Sequence, residues 1–210
     1  LYVWNDDELR ALQGKIPVIT LSFSDVKRKE YSKTIELIKD LLVSVYDEFK
    51  PKLNLNVFTD TEKEQLTSVM RSMSDVTAQT SLRHLSKYLA RQYNTLPIIL
   101  LDEYDTPLQE AWLGGYWDEL VDFMRGFLNS TFKTNPYLER GLLTGITRIS
   151  KESIFSDLNN LKVVTTTTNC YTDCFGFTEE EVFSVMDEYG LTDKYEVKKW
   201  YDGYNFGNGT

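Results

Sequence analysis

The spacing of apolar residues changes several times along the chain, and each change marks an element. Residues 16–23 (IPVITLSF) form a short, mostly apolar and β-branched run entered through Gly14 and Pro17, which predicts a β-strand. From Tyr31 the interval lengthens. Ile35, Ile38, Leu42, Val45, Tyr46 and Phe49 recur at helical spacing, and Pro51 closes that helix. A short helix is predicted to begin near Thr61, where Thr61 and Glu64 have the spacing of a capping box. The next carries Ala78, Leu82, Leu85 and Leu89 on one stripe. Residues 96–101 (LPIILL) then run unbroken over the length of a strand, the pattern of a strand covered by helices on both faces.

Downstream, Leu120, Phe123, Phe127 and Leu128 mark the inward side of a further helix, and residues 140–146 predict a strand. The threonine run 165–168 is β-prone and predicts another strand end. Thr178 and Glu181 cap a helix that stops at Gly190, and residues 193–201 predict one more short helix. Strands alternating with helices give an α/β fold with a mainly parallel sheet flanked by helices. The α/β core is expected over residues 1–170, and residues 171–210 form a helical segment that begins a lid or a following domain.

Composition narrows the function classes. The chain has 210 residues, of which 41% are hydrophobic and 13% aromatic, enough for a sizeable core without staples. A net charge of −9 argues against direct nucleic-acid binding and against an anionic membrane surface as partner. No apolar run reaches the length of a membrane span, and the first residues do not read as a secretion signal. Two cysteines, Cys170 and Cys174, make no disulfide framework, so a cytoplasmic location is expected. The chain opens on Leu1, which suggests a piece of something longer.

In open parallel sheets ligands bind beyond the carboxyl ends of the strands, and two predicted strand ends carry polar chemistry there. The run 96–101 ends in Asp102-Glu103-Tyr104-Asp105. A carboxylate at Asp102 suits Mg²⁺ held partly through water while the metal bridges phosphate oxygens. A second carboxylate, Glu103, suits the orientation or deprotonation of an attacking water. The following strand leads into Thr144, then Arg148 and Lys151. Thr144 is placed to contact the water or a γ-phosphate, and Arg148 and Lys151 to neutralise developing phosphoryl charge. Each strand end has a plain alternative, an acidic helix-capping turn or a solvated basic loop. The two together put an acidic pair and a basic pair on one rim.

The segments LLDEYDTPL (100–108), GLLTGITRISKESIFSDLNNLKV (141–163), FGFTEEEV (175–182) and KWYDGYNFG (199–207) resemble the AAA-ATPase-like family of prokaryotic proteins, and residues 16–26 fit that family's second sheet strand. Members often carry a PD-(D/E)XK-type nuclease domain after the ATPase. The resemblance implies a P-loop NTPase core, with Asp102 and Glu103 as the Walker B acidic pair and Thr144 at the sensor position. It also implies Mg²⁺ and ATP as cofactors of a full-length parent. One departure stands out. The family's phosphate-binding loop is absent, since Gly14-Lys15 is the single Gly-Lys pair and Ile16 follows it. With that loop the first, central strand is missing too, so the core is expected to be partial and this chain alone to bind no nucleotide. The expectation is the Walker B and sensor portion of a Mg²⁺-dependent ATPase that couples nucleotide state to an effector or nuclease domain in the same parent chain. The alternative is a pseudo-ATPase, a non-catalytic interaction module that kept the fold.

Other signals carry less. Glu196-Val197-Lys198 matches half of a nuclease motif but falls in a helical stretch. Cys170 and Cys174, with His84 as the single histidine, cannot make a structural zinc site unaided and are expected to be buried thiols. One histidine also argues against Ser-His or Cys-His hydrolysis. The aromatic cluster 200–206 (WYDGYNF) is expected to pack in a core or against a domain rather than to stack a base.

Overall fold

The computed structural model describes residues 2–133, 135–146, 155, 158, 161–174, 176–201, 203 and 207. Contacts divide the chain into two compact units, Leu1–Asn159 and Asn160–Thr210.

The first unit contains a three-stranded sheet of β1 (Val18–Ser22), β2 (Ile98–Asp102) and β3 (Arg140–Leu143), in that order. Both pairings are parallel, with Ser22 opposite Asp102 and Leu101 opposite Leu143. Parallel neighbours need crossovers, and helices supply them. Between β1 and β2 lie α2 (Tyr31–Phe49), α3 (Asp60–Ser68) and α4 (Asp75–Tyr93). Between β2 and β3 lie α5 (Thr106–Gly114) and α6 (Trp117–Phe132), while α1 (Asp7–Leu12) precedes β1.

One face of the sheet is dry. Ile19, Leu21, Ile99 and Leu101 are buried beneath a helical layer in which α4 packs on α6 and on α2. The stripe Ala78, Leu82, Leu85 and Leu89 is fully buried, as are Leu120, Phe127 and Leu128 across from it. Polar ties fix the layer: Tyr46 Oη donates to Ser81 O at 2.7 Å, and Gln79 Nε2 donates to Phe123 O at 3.1 Å. The latter contact needs Gly126, where a Cβ would stand 2.5 Å from the Gln79 amide nitrogen.

The other face is only thinly covered. Ile98 and Leu100 are half-buried, while Val18 and Leu142 are 42% and 56% exposed. This corrects the expectation that the 96–101 run is sheathed on both sides. An unbroken apolar run gives no alternation to read, and here the alternation is one of burial rather than residue type. Three further expectations change. The capping box of α3 is Thr59 with Glu62, two residues before the expected Thr61 and Glu64. β3 ends at Leu143, so Thr144 to Ile146 continue beyond the strand. The threonine run 165–168 is a turn closed by Thr168 N–H donating to Thr165 O, so its β-propensity is overridden by local hydrogen bonding.

The second unit holds α7 (Glu179–Glu188) and α8 (Lys194–Tyr201). The Thr178 and Glu181 capping box forms as expected. Lys194 bonds Asp187 at 2.6 Å and Lys198 bonds Glu179, tying the two helices. Cys170 and Cys174 are exposed free thiols, which corrects the expectation of burial; they lie in a turn-rich stretch with little apolar cover. Trp200 and Tyr201 are also exposed, so neither packs in a core here, and most of the remaining aromatic cluster falls outside the described residues. Among the described residues no helix is long and apolar enough to cross a membrane.

Candidate functional site

Strand side chains alternate between faces, so Ser22, Asp102 and Thr144 leave the sheet on the same, thinly covered face. Ser22 and Asp102 are register partners, and Thr144 follows the Leu101–Leu143 pair on the next strand. The three make one polar row across the carboxyl ends of β1, β2 and β3. Asp102 sits at its centre and is exposed. Its Oδ1 accepts from Thr144 Oγ1 at 2.5 Å and its Oδ2 from Ser22 Oγ at 3.4 Å. The backbone around the row is paired, with Phe23 N–H on Asp102 O at 2.9 Å, Thr144 N–H on Leu101 O at 2.9 Å and Tyr104 N–H on Thr144 O at 3.1 Å.

Glu103 turns the chain out of β2. Its φ is +51°, a left-handed conformation that costs a non-glycine residue roughly 1 kcal/mol and that clusters at functional sites. Its Oε2 accepts from Thr106 Oγ1 at 3.0 Å, and Thr106 N–H closes the turn on Glu103 O at 3.1 Å. The bond orients the carboxylate and engages one of its two oxygens. Asp105, next in the turn, is 1% exposed. Its Oδ2 accepts from Gln109 Nε2 at 2.9 Å and from Ile146 N–H at 3.1 Å, so the start of α5 is bonded to the chain leaving β3. Tyr104 packs inward with its ring edge-on to Phe155, centroids 5.4 Å apart.

The structure therefore brings together Asp102 and Thr144 on adjacent strands and sets Glu103 one residue beyond. Arg148 and Lys151 lie outside the described residues. Sequence reasoning missed Ser22 and Asp105. Ser22 could have been found from its place at a strand's carboxyl end; Asp105 gives no such signal, because only the fold reveals that it turns inward.

The donor set is all oxygen: one carboxylate and two hydroxyls. Among the described residues no cluster of three or more His, Cys, Asp or Glu side chains is placed to hold a metal ion. The row is thus no self-sufficient metal cage. It fits a hard ion that keeps most of its water or shares it with phosphate, which is how Mg²⁺ behaves.

A family of proteins described as predicted AAA-ATPases matches residues 1–155, well over half of the chain and all three strands. The chain belongs to this AAA-ATPase-like family. It is also 32% identical over 111 residues to a curated protein of Azotobacter chroococcum mcd 1, described as an uncharacterized protein in the vnfD 5′ region. That match takes in 52% of this chain and 21% of the relative, so the chain spans about a fifth of that protein's length. No solved structure matches. In this AAA-ATPase-like chain the matched segment contains the whole row Ser22, Asp102 and Thr144.

Proposed function

We propose that the row at the carboxyl edge is the Walker B and sensor rim of a Mg²⁺-dependent ATPase, and that the parent protein couples its nucleotide state to an effector domain. The observation carrying this reading is the bond from Thr144 to Asp102 between adjacent parallel strands, one at an acidic strand end and one at a hydroxyl strand end. Asp102 would hold the Mg²⁺ of a metal–nucleotide complex, and the ion would supply charge neutralisation for phosphoryl transfer.

The chain's own residues do the rest. Asp102 offers a carboxylate held at one oxygen by Thr144, with Ser22 Oγ 3.4 Å from the other, so little ordering remains when a ligand arrives. Glu103, oriented by Thr106, is the residue to hold or deprotonate the attacking water. Thr144 links the position of Asp102 to the strand beside it. Arg148 and Lys151 are the cations proposed to face the phosphates. The 210 residues contain no Gly-x-x-x-x-Gly-Lys-Ser/Thr stretch, so the cradle for the β-phosphate has to come from outside them.

Paired variants in the full-length natural protein test the assignment. Glu103→Gln should lower ATP turnover by roughly 10²–10⁴-fold, the usual worth of a general base, while leaving MgATP binding intact. Asp102→Asn should weaken Mg²⁺-dependent nucleotide binding as well as turnover. Equal turnover in wild type and a folded Glu103→Gln protein removes Glu103 from the mechanism. Parallel, stability-linked losses in both variants reduce the acidic pair to a structural turn.

A further inference from the structure

Thr144 to Ile146 are held in place without burial. All three residues are exposed, and Ile146 is 86% exposed, so apolar packing cannot fix their path. Hydrogen bonds do: Thr144 is paired through its backbone to Leu101 and Tyr104, and Ile146 N–H donates to Asp105 Oδ2. Asp105 is the buried member of this set, braced by Gln109 from the first turns of α5. Gly145 lies flat on it. A Cβ at that position would stand 2.5 Å from Asp105 Oδ1 and 2.9 Å from Tyr104 Cε1, so only glycine lets the chain pass this close.

We propose that Asp105 is a positioning residue which, through its bond to the Ile146 amide, sets the exit of β3 and thereby holds the Thr144 hydroxyl against Asp102. A buried carboxylate accepting from a backbone amide is a strong, directional tie, here part-buried because the Ile146 side faces solvent. The catalytic consequence rests on the ATPase reading; the geometric one does not.

The test has two arms. In the 210-residue chain, the Thr144 methyl resonance and the exchange rate of the Ile146 amide are followed by NMR. In wild type, Asp102→Asn should move the Thr144 methyl signal. In Asp105→Ala that response should vanish, and the Ile146 amide should exchange at least tenfold faster, with Leu82 and Leu85 amides still protected. Asp105→Asn keeps an acceptor for Ile146, and Gln109 can turn its amide to suit, so it should restore both signals. Should Asp105→Ala fail to fold, Gly145→Ala repeats the test by displacing the carboxylate from the surface side. A Thr144 response that persists in either folded variant overturns the proposal. The second arm uses the full-length protein, where Asp105→Ala should lower kcat about tenfold or more at nearly unchanged KM, with recovery in Asp105→Asn. An unchanged kcat alongside a lost Thr144 response denies the clamp any catalytic role. A wild-type protein that turns over no MgATP removes the ATPase reading, and the NMR arm still decides the clamp.

Discussion

Glu62 shows how much one side chain settles. It closes the α3 capping box on Thr59, accepts a two-pronged bond from Arg91 at 2.7 and 2.8 Å, and pairs with Lys87 at 2.8 Å. The carboxylate is nearly buried while its cationic partners reach solvent. The Arg91 guanidinium, then Lys87 and the Thr59 amide, hold its carboxyl well below the usual carboxylate range. A depressed folded value means the stabilisation is complete above the unfolded value of about 4.3 and is lost as pH falls from there toward the folded value. Glu62→Gln should therefore cost about 1–3 kcal/mol at pH 7, less than a fully buried pair because Lys87 and Arg91 are solvated. The gap between the two proteins should narrow below pH 4. Urea midpoints at pH 7 and pH 3.5 check it, and an equal gap at both values would refute the linkage. Glu62 also explains a misreading of the sequence. Thr59-Asp60-Thr61-Glu62-Lys63-Glu64 contains two overlapping Thr-x-x-Glu frames, and local pattern cannot choose between them. The frame used is the one that turns Glu62 toward the two cations of α4.

Among elements, β3 is fitted closely to α6. Gly141 lies under Phe132 of α6, and a Cβ there would collide with the Phe132 ring. The glycine lets the end of α6 close over the strand that leads to Thr144. Gly141→Ala should destabilise the protein by about 1–3 kcal/mol through overpacking, and Phe132→Leu added to it should recover part of that loss. Denaturant unfolding of the three variants measures the effect; a double variant less stable than Gly141→Ala would mean that the strain lies elsewhere. The helices were the legible elements. The stripes of α2, α4 and α6 announce both the helix and its buried side, because period 3.6 separates apolar from polar residues. Strands were found but their faces were not. Ile98, Ile99, Leu100 and Leu101 are all large and apolar, yet Ile99 and Leu101 are dry while Ile98 and Leu100 are half-buried.

At the scale of the molecule, the site's core was visible and its supports were hidden. Asp102, Glu103 and Thr144 stood at strand ends that the pattern marked. The register that sets Ser22 opposite Asp102 and the inward turn of Asp105 are products of tertiary structure. The molecule as a whole also sets an expectation for nucleotide binding. The rim presents a carboxylate and hydroxyls, the donors of the proposed Mg²⁺ site, but these 210 residues carry no Gly-Lys-Ser/Thr loop to enclose a β-phosphate. Titration calorimetry with MgATP on the 210-residue chain should detect binding weaker than micromolar or none. A micromolar dissociation constant would show that the rim alone suffices.

The row at the carboxyl edge draws one residue from the end of β1, one from the end of β2 and one just beyond β3, and parallel pairing keeps those residues far apart in the chain. Ser22 and Asp102 are separated by 80 positions, and Asp102 and Thr144 by 42. Loop closure over such distances comes late, after contacts within and between nearby helices have formed. On a ribosome, α2 to α4 can associate before β2, the strand that pairs with β1, has been made. The polar row cannot exist until β3 has been made and has docked. The row is therefore withheld from every nascent chain that stops short of Thr144, and a chain that has acquired its row has necessarily paired β1, β2 and β3.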